Sequence, residues 1–423
     1  MEARLYQDCV SILKSELLPA MGCTEPIAVA YAAALARKTL GCLPTSVHIS
    51  VSGNILKNVK SVIVPNTGNL RGVTSAAAAG IAVGDAERQL EVLSSVTESD
   101  YPKIREYLAR TEFTVCEAQA GCIFDIGIEA LSKTDRAFVR ITGHHTNVIR
   151  IEKNGQVLLS KSDYGEAAAA DADPLSIAAI YQFATEADLD DVRETLERQI
   201  AYNVAISDEG LRGDYGAKVG KTLLKAYGDS VHNRAKAAAA AGSDARMNGC
   251  ALPVVIVSGS GNQGMTASLP VITYAKYLNA DRDQLLRALI ISDLVTVHLK
   301  HEIGRLSAYC GAVSAGCGAA AGICFLYGGA LDEISHTVVN ALAIASGIVC
   351  DGAKSSCAAK IASAVEAGLL GFELYRNGSQ FYGGDGIVEK GVENTIHNVG
   401  ELASKGMRET DEEIIRLMIK TVS

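Results

Sequence analysis

Hydrophobic positions recur with helical spacing across residues 6–40, and the pattern is interrupted once, at residues 19–22. The second of the two predicted helices opens with Thr24-Glu25-Pro26, which combines an N-cap residue with an acid and a proline in the first turn. The sequence therefore predicts that the chain begins with two helices joined by a short break.

After residue 42 the pattern changes to the period of two that is typical of half-buried strands. Strands are predicted at 46–52, 61–64 and 91–96, helices at 74–88 and 102–110, and further alternating segments between 112 and 161. The last two of these segments meet at Asn154-Gly155, a dipeptide that favours a tight β-hairpin.

Beyond residue 165 the helical spacing returns and continues almost to the end of the chain. Helices are predicted at 190–203, 216–225, 283–299 and 412–421, with one short strand at 253–257. The fold class predicted from this order is α+β. We expect a large all-helical domain, residues 1–41 and 164–423, with an inserted smaller α+β domain, residues 42–163.

Composition excludes several classes of protein. The 423 residues are 48% hydrophobic, which is enough to build a core, so a disordered chain is excluded. The net charge is −9 and no Lys/Arg block occurs, so nucleic acid is not an expected partner. The N-terminal segment carries charges throughout and lacks the apolar run of a secretory signal, so we expect a cytoplasmic protein.

One uncharged stretch, residues 306–331, exceeds the ~20 residues that a membrane-spanning helix needs. Its residues are mostly Gly, Ala, Ser and Cys, which contribute little to insertion. We therefore predict a closely packed buried helix here and no membrane partner.

The chain has 11 cysteines, which stay reduced in the cytoplasm and must serve packing, catalysis or metal binding. Cys310, Cys317 and Cys324 recur every seven residues and could share one face of a buried helix. Cys350 and Cys357 differ, because a helix-stop signal follows the first and an N-cap signal precedes the second. They flank a turn, where two thiols can face a shared centre.

Cys23 directly precedes the Thr24 helix start, where the helix dipole is expected to lower the pKa of its thiol. The cysteine spacing disfavours zinc, and it permits an iron–sulfur cluster without specifying one.

Residues 259–264 match G-x-G-x-x-G, but the strand–helix–strand context of a dinucleotide site is missing. We interpret residues 258–264 as a bend whose N–H groups hold a carboxylate, or equally the phosphate of pyridoxal phosphate. Similar turns are predicted at 52–54 and 65–68. His145 lies between two strands, where a buried histidine without a function is the simpler interpretation.

Eight ordered motifs together resemble the iron–sulfur L-cysteine desulfidase family, which is related to the catalytic α-domain of iron–sulfur L-serine dehydratases. They are MGCTEP (21–26), SGNILKN (52–58), PNTG (65–68), HTNVIRIEKNG (145–155), GSDARMNGC (242–250), SGSGNQG (258–264), GRLSAYCGA (304–312) and CDGAKSSCAAK (350–360). The resemblance extends from Met21 to residues 406–418 and covers nearly the whole chain.

This resemblance implies that Cys310, Cys350 and Cys357 bind a [4Fe–4S] cluster in the helical, catalytic domain and leave one iron open. Cys317 and Cys324 are then packing residues. The implied reaction converts L-cysteine and water to pyruvate, ammonia and hydrogen sulfide without net redox change. Serine-dehydrating relatives generally space the last two ligands more widely and end in a cysteine-bearing tail, whereas the last cysteine here is Cys357. That difference favours the desulfidase.

In this interpretation Cys23 is the base that removes the Cα proton. The amino-acid substrate is expected to contact the polar turns through Ser52, Asn54, Asn66, Ser258 and Asn262. His145 is a further possible hydrogen-bond donor to the substrate. Arg305 and Lys354 lie beside cluster ligands, where they could balance the charge of the cluster or of the carboxylate, or equally form structural ion pairs. A homodimer is expected.

Three alternatives stay open at this point. One is an iron–sulfur L-serine dehydratase. Another is a pyridoxal-phosphate lyase, which could run the same elimination with the 258–264 bend holding its phosphate. The third is a non-catalytic amino-acid-binding protein.

Overall fold

In the computed structural model, which describes residues 1–118, 122–161, 174–304 and 306–420, the order of helices and strands confirms the predicted α+β class. The helices are α1 (Ala3–Glu16), α2 (Thr24–Leu40), α3 (Gly53–Val59), α4 (Val73–Val83), α5 (Tyr101–Arg110), α6 (Ile177–Glu186), α7 (Arg193–Arg212), α8 (Val219–Tyr227), α9 (Val231–Met247), α10 (Gly261–Leu278), α11 (Arg282–Ile303), α12 (Gly311–Leu326), α13 (Leu331–Ala345), α14 (Cys357–Arg376), α15 (Val392–Glu401) and α16 (Arg408–Lys420). The strands are β1 (Pro19–Met21), β2 (Ser46–Val51), β3 (Glu112–Glu117), β4 (Asp125–Leu131), β5 (Arg136–Thr142), β6 (Val148–Lys153), β7 (Gln156–Ser160) and β8 (Pro253–Val255).

The predicted break between the first two helices is confirmed. It forms strand β1, which pairs antiparallel with β8, so that Pro19 lies opposite Val255. Helix α2 begins at Thr24, and its N-cap is Cys23, one residue before the cap that the sequence predicts. The pairing of β1 with β8 brings the start of α2 close to the segment that leads into α10.

The alternating segments form one six-stranded sheet with the order β3-β2-β4-β5-β6-β7. Strands β2 and β3 are parallel and the other neighbours are antiparallel. The hairpin between β6 and β7 is confirmed: Asn154 and Gly155 have φ values of 52° and 81°, as a turn with two left-handed residues requires.

Two predicted strands are absent from the described part of the chain. The prediction of a strand at 91–96 is wrong. The hydrophobic residues of this segment are buried, but they lie in the turns that follow a 3₁₀ helix (Ala86–Glu91). The run at 61–64 forms only an isolated bridge from Ile63 to Arg71.

Helix α2 lies between the sheet and α4, and it contacts β4, β5 and β6. Gly80 of α4 faces the backbone of α2, where a Cβ would lie 2.0 Å from the carbonyl oxygen of Ala30. The two helices therefore approach more closely than side chains allow. The sheet formed within residues 42–163 thus packs on a helix from the first 41 residues; the proposed domain boundaries remain a prediction.

Within the uncharged stretch at 306–331, residues 311–326 form the closely packed helix that the sequence predicts. Helix α12 lies among α10, α11, α13 and α14. A Cβ on Gly316 would lie 2.5 Å from the carbonyl oxygen of Ala364 in α14, and one on Gly318 would lie 2.3 Å from that of Ser292 in α11. Cys317 and Cys324 are buried in the same helix. Among the helices that the structure describes, none is long and apolar enough to cross a membrane.

Candidate functional site

Four helices begin at the rim of one cavity. The first residues of α2, α10, α12 and α14, or the residues just before them, all line a cavity of about 120 Å³. The first turn of a helix presents unpaired N–H groups and the positive end of the helix dipole. Four converging N-termini therefore make this cavity favourable for thiolates and for an anionic ligand.

Two loops that are distant in sequence place Cys310 beside Cys350. The amide of Cys310 donates to the carbonyl of Ile348 at 3.0 Å, and the amide of Cys350 donates to that of Ala308 at 2.6 Å. An antiparallel bridge between Tyr309 and Val349 completes this short ladder. Because the loops are held by backbone hydrogen bonds, the positions of the two thiols depend little on neighbouring side chains.

Cys357 joins them from the first turn of α14. Its Sγ lies 3.6 Å from the carbonyl oxygen of Gly352, across the turn that connects it to Cys350. Gly352 has a φ of 91°, and a Cβ there would lie 2.4 Å from the carbonyl oxygen of Lys57. The three cysteines named from the family resemblance thus line the same cavity.

The three thiols do not share one protonation state. A hydrogen bond from Cys310 lowers the pKa of Cys350 to about 6, and the nearby Lys57 and Lys360 ammonium groups act in the same direction. The same contact, together with burial, raises the pKa of Cys310, and burial raises that of Cys357. Because metals bind the thiolate, the last two must lose protons when a metal binds.

Among the described residues, no three His, Cys, Asp or Glu side chains are grouped closely enough to hold a single metal ion.

Cys23 lines the same cavity and is buried in a small cluster with Val62 and Met247, against which Cys357 packs. Its thiol donates to Oε2 of Glu25 at 3.0 Å. The predicted lowering of its pKa is wrong: burial, reinforced by the Glu25 carboxylate, raises the pKa of Cys23 well above its ordinary value. The sequence indicates a helix N-terminus but does not reveal that water is excluded from it.

Glu25 is a buried carboxylate with several donors. Besides the Cys23 thiol, it accepts a hydrogen bond from Asn58 Nδ2 at 3.1 Å and one from the hydroxyl of Thr24 at 3.2 Å. Burial raises its pKa, but His145, the Cys23 thiol and Arg246 outweigh that effect, so the pKa is lowered overall. Glu25 is therefore ionised beside a protonated thiol.

Of the other predicted contacts, His145, Ser258 and Asn262 line the cavity. Ser258 and Gly259 form a left-handed turn with φ values of 48° and 77°. The carbonyl of Gly259 accepts a hydrogen bond from Thr24 Oγ1 at 2.9 Å, which ties this turn to the start of α2. The antiparallel pairing of β8 provides no parallel unit for a dinucleotide site.

Four predicted contacts bond to groups elsewhere and do not line the cavity. They are Ser52, whose Oγ donates to Ile123 O (2.7 Å), Asn54, whose Nδ2 donates to Asp411 Oδ2 (3.0 Å), Asn66, whose Nδ2 donates to Leu93 O (2.9 Å), and Lys354, whose Nζ donates to Asp351 O (3.1 Å). Arg305 lies outside the described residues.

Four charged side chains that line the cavity were not identified from the sequence: Lys300 and, within the motifs quoted above, Glu25, Lys57 and Arg246. Lys57 is 1% exposed and pairs with Asp411 of α16 at 2.5 Å. Glu25 and Arg246 are also buried. For Glu25, Lys57 and Arg246, the motifs that carried the family resemblance were the available signal. A charged residue in a helical pattern is otherwise most simply placed on a solvated face.

Fold and cavity together describe an α+β protein with a thiol-lined, anion-favouring site at the junction of four helices. The sequence pattern of the serine dehydratase alpha chain matches residues 87–416, so the chain belongs to that family. This confirms the relationship that the motifs indicated.

Several relatives align over almost their whole length. A UPF0597 protein of Desulfitobacterium hafniense (strain Y51) is 54% identical over 99% of this chain and 98% of its own. One from Lachnoclostridium phytofermentans is 50% identical over 98% and 100%, and one from Finegoldia magna is 47% identical over 97% and 98%. The similarity to these relatives therefore extends over nearly the full length of both chains.

Proposed function

We propose that this protein is an L-cysteine desulfidase, a [4Fe–4S]-dependent lyase that converts L-cysteine and water to pyruvate, ammonia and hydrogen sulfide. The observation that supports the proposal is the convergence of Cys310, Cys350 and Cys357 on the cavity that also contains Cys23. Membership of the serine dehydratase alpha chain family supports the class of reaction, a β-elimination from an amino acid.

The residues around the cavity fit an iron–sulfur cluster. Such clusters are held by cysteine thiolates; here Cys310 and Cys357 lie at helix N-termini, and the Lys57 and Lys360 ammonium groups act on Cys350. Cys310, Cys350 and Cys357 would hold the cluster. When bound, a cluster with three protein ligands supplies an open iron that acts as a Lewis acid toward a departing sulfur.

In this proposal Cys23 and Glu25 together remove the proton from Cα. In the proposed step, the thiol proton of Cys23 passes to Oε2 of Glu25 while Cys23 Sγ takes the Cα proton. The electron pair of the broken C–H bond forms the Cα–Cβ double bond, and the Cβ–S bond breaks with its electron pair on sulfur. The departing HS⁻ takes the proton from Glu25 and leaves as hydrogen sulfide, which restores the Glu25 carboxylate and the Cys23 thiol. The released aminoacrylate is hydrolysed, and this step consumes the water and yields pyruvate and ammonia.

The burial of the pair serves this chemistry. With Cys23 and Glu25 out of contact with bulk water, the proton moves between the substrate and two fixed side chains. Asn58 and Thr24 hold the carboxylate in place through their hydrogen bonds to it.

An iron–sulfur L-serine dehydratase is the second candidate, and the family match favours it specifically. The same residues could eliminate water from L-serine. We favour the desulfidase because Cys350 and Cys357 are seven residues apart, whereas serine-dehydrating relatives generally space the last two ligands more widely.

The test is an anaerobic preparation of the full chain, reconstituted with iron and sulfide and supplied with L-cysteine, L-serine or their D-isomers. We expect about four irons per chain, an iron–thiolate absorption band that dithionite bleaches, and a higher kcat/KM for L-cysteine than for L-serine. A higher value for L-serine would select the second candidate. Failure to bind iron would refute both, and a Schiff-base band bleached by borohydride would identify a pyridoxal-phosphate lyase instead.

The ligand assignment has its own variants. Replacing Cys310, Cys350 or Cys357 by Ala is expected to remove the absorption band and the activity together. The matched control is Cys317→Ala, in the same helix that follows Cys310 but buried away from the cavity, and it should keep both. An active, iron-loaded protein lacking all three cysteines would contradict the assignment.

A further inference from the structure

Arg246 is a buried cation in the wall of the cavity that the proposed chemistry leaves without a role. It lies in the last turn of α9, is 2% exposed, and lines the cavity. Its Nη1 donates to Oδ1 of Asn262 at 3.1 Å. Its Nε and Nη2 are buried and make no hydrogen bond to any residue that the structure describes. Buried charged donors without acceptors are strongly unfavourable, which indicates that a ligand supplies the acceptors.

The start of α10 fixes the plane of this guanidinium. A Cβ at position 261 would lie 2.5 Å from Arg246 Nε and 2.8 Å from its Cζ, so only glycine leaves room for the side chain. Gly261 does not have a positive φ, and the requirement is therefore one of space. With Asn262 holding Nη1 and Gly261 flanking the group, the guanidinium is oriented before any ligand arrives.

The two donors without partners form one edge of the planar group. The N–H bonds of Nε and Nη2 point in the same direction, which is the arrangement that binds both oxygens of a carboxylate. Glu25 is the nearby carboxylate, and it acts on Arg246 through its charge, but its hydrogen bonds come from Cys23, Thr24 and Asn58. The edge is thus available to an anion from outside the chain.

We propose that Arg246 binds the α-carboxylate of the amino-acid substrate through Nε and Nη2, an inference that rests on the proposed function. Cys23 and Cys357 line the same cavity as Arg246 and pack around Met247, the next residue of the chain, so a carboxylate held by Arg246 places the remainder of a small amino acid close to the candidate base and a cluster ligand. Arg246 would fix the orientation of the substrate in which Cys23 Sγ can approach the Cα proton.

The test compares L-alanine, which has no leaving group, with L-alaninamide, which has no carboxylate. Isothermal titration calorimetry on the reconstituted full chain should show wild-type protein binding L-alanine at least about 10-fold more tightly than the amide. In Arg246→Gln, L-alanine binding should weaken about 10- to 100-fold and the preference should disappear. Arg246→Lys should retain part of it, because a point charge remains without the bidentate edge.

A matched control is Arg198→Gln. Arg198 also has a buried Nε with no partner among the described residues, but its guanidinium donates to the carbonyl of Leu17 at 3.5 Å and does not line the cavity. This variant should keep the wild-type preference. Circular dichroism and iron content verify that each variant is folded and loaded. If Arg246→Gln does not fold, Asn262→Ala is measured in its place, and it should show a smaller loss of the same preference.

The results separate this inference from the proposed function. It is overturned if Arg246→Gln or its replacement keeps the preference, if wild-type protein does not distinguish the two ligands, or if the variant loses iron and binding together. Turnover of L-cysteine by Arg246→Gln with an unchanged KM would overturn the inference and leave the desulfidase standing. Binding of L-alanine that depends on Arg246, without turnover of cysteine or serine, would support the inference and refute the proposed function.

Discussion

At the scale of single residues, burial decides protonation in this cavity more strongly than helix dipoles do. A dipole contributes roughly 0.3–1 kcal/mol at an exposed helix end, whereas full burial can move a pKa by several units. Cys23 illustrates the difference, because its N-cap position predicts a lowered pKa while its surroundings raise it. The adjacent Glu25 carboxylate accepts the hydrogen bond of this thiol, and in the proposed reaction it receives the thiol proton.

The first prediction concerns this pair. Glu25→Gln keeps the shape of the side chain but removes the proton acceptor, so kcat should fall about 10²- to 10⁴-fold with little change in KM. Cys23→Ala should lose turnover in the same way, and both variants should keep the iron–thiolate absorption band. Steady-state kinetics for sulfide release provide the measurement, with Glu25→Asp as the variant that restores part of the rate. A kcat within a factor of about three of wild type in either Glu25→Gln or Cys23→Ala would exclude the pair as the base.

The second prediction concerns Asp293 in α11, which is fully buried and accepts a hydrogen bond from Gln199 Nε2 at 2.9 Å. Burial raises its pKa from 3.8 to about 7. Between pH 3.8 and about pH 7, Asp293 is therefore protonated in the folded state and ionised in the unfolded state. The stabilising effect of that proton is complete below pH 3.8 and is lost as the pH rises toward 7.

Asp293→Asn imitates the protonated form and should remove this pH dependence. The variant should melt at a higher temperature than wild type at pH 8, by an amount equivalent to a few kcal/mol, and the difference should shrink at pH 5. Scanning calorimetry at both pH values measures it. The exposed Asp332→Asn serves as the surface control, and an equal difference at pH 5 and pH 8 would refute the assignment.

At the scale of helices and strands, local sequence patterns predicted most elements but not which of them pack or pair with one another. The alternation in β2 and the Asn154-Gly155 turn identified the sheet, because both signals lie within a few residues. The run of hydrophobic residues at 91–96 led to a wrong strand prediction, because turns can also bury apolar residues. Convergence of Cys310 and Cys350 rests on pairing between distant loops, which neither local sequence nor spacing encodes. The family resemblance supplied that information instead.

Close packing of α12 on α14 positions the N-termini that carry Cys310 and Cys357, and this gives the third prediction. Gly316→Ala would place a Cβ 2.5 Å from the carbonyl oxygen of Ala364, so the helices must separate. We expect a loss of about 1–3 kcal/mol in stability and weaker retention of iron. Thermal unfolding and iron analysis provide the two measurements. Gly347→Ala, which meets open space, is the matched control; equal behaviour of the two variants would show that the contact does not hold the helices.

At the scale of the whole molecule, the cavity has a local charge opposite to that of the chain. The net charge is −9, yet Lys57, Arg246 and Lys300 line the cavity together with four helix N-termini. A positive site within an acidic protein attracts small anions to one place on its surface. Composition alone made nucleic acid an unexpected partner but could not locate these cations, because their burial depends on contacts that only the complete fold makes.

Both ends of the chain contribute to this site, since α2 provides Cys23 and the C-terminal helix α16 holds Lys57. Asp411 of α16 pairs with Lys57 at 2.5 Å and also accepts a hydrogen bond from Asn54 at 3.0 Å. The carbonyl of Met418, further along α16, accepts a hydrogen bond from Lys60. Since the Lys57 side chain is 1% exposed, its charge has no alternative partner in water once Asp411 is removed.

Asp411→Asn should therefore destabilise the protein by about 3–5 kcal/mol, the range for breaking a buried ion pair. The double variant Lys57→Met, Asp411→Leu should recover much of the thermal stability, because it leaves no uncompensated charge, while α16 stays packed on α3. Glu412→Gln, an exposed neighbour in the same helix, is the control for loss of a carboxylate. Calorimetric unfolding of all four proteins forms the comparison. If Asp411→Asn and Glu412→Gln unfold at the same temperature, the ion pair with α16 does not stabilise the buried Lys57. Removal of α16 should then leave the fold and the bound iron unchanged.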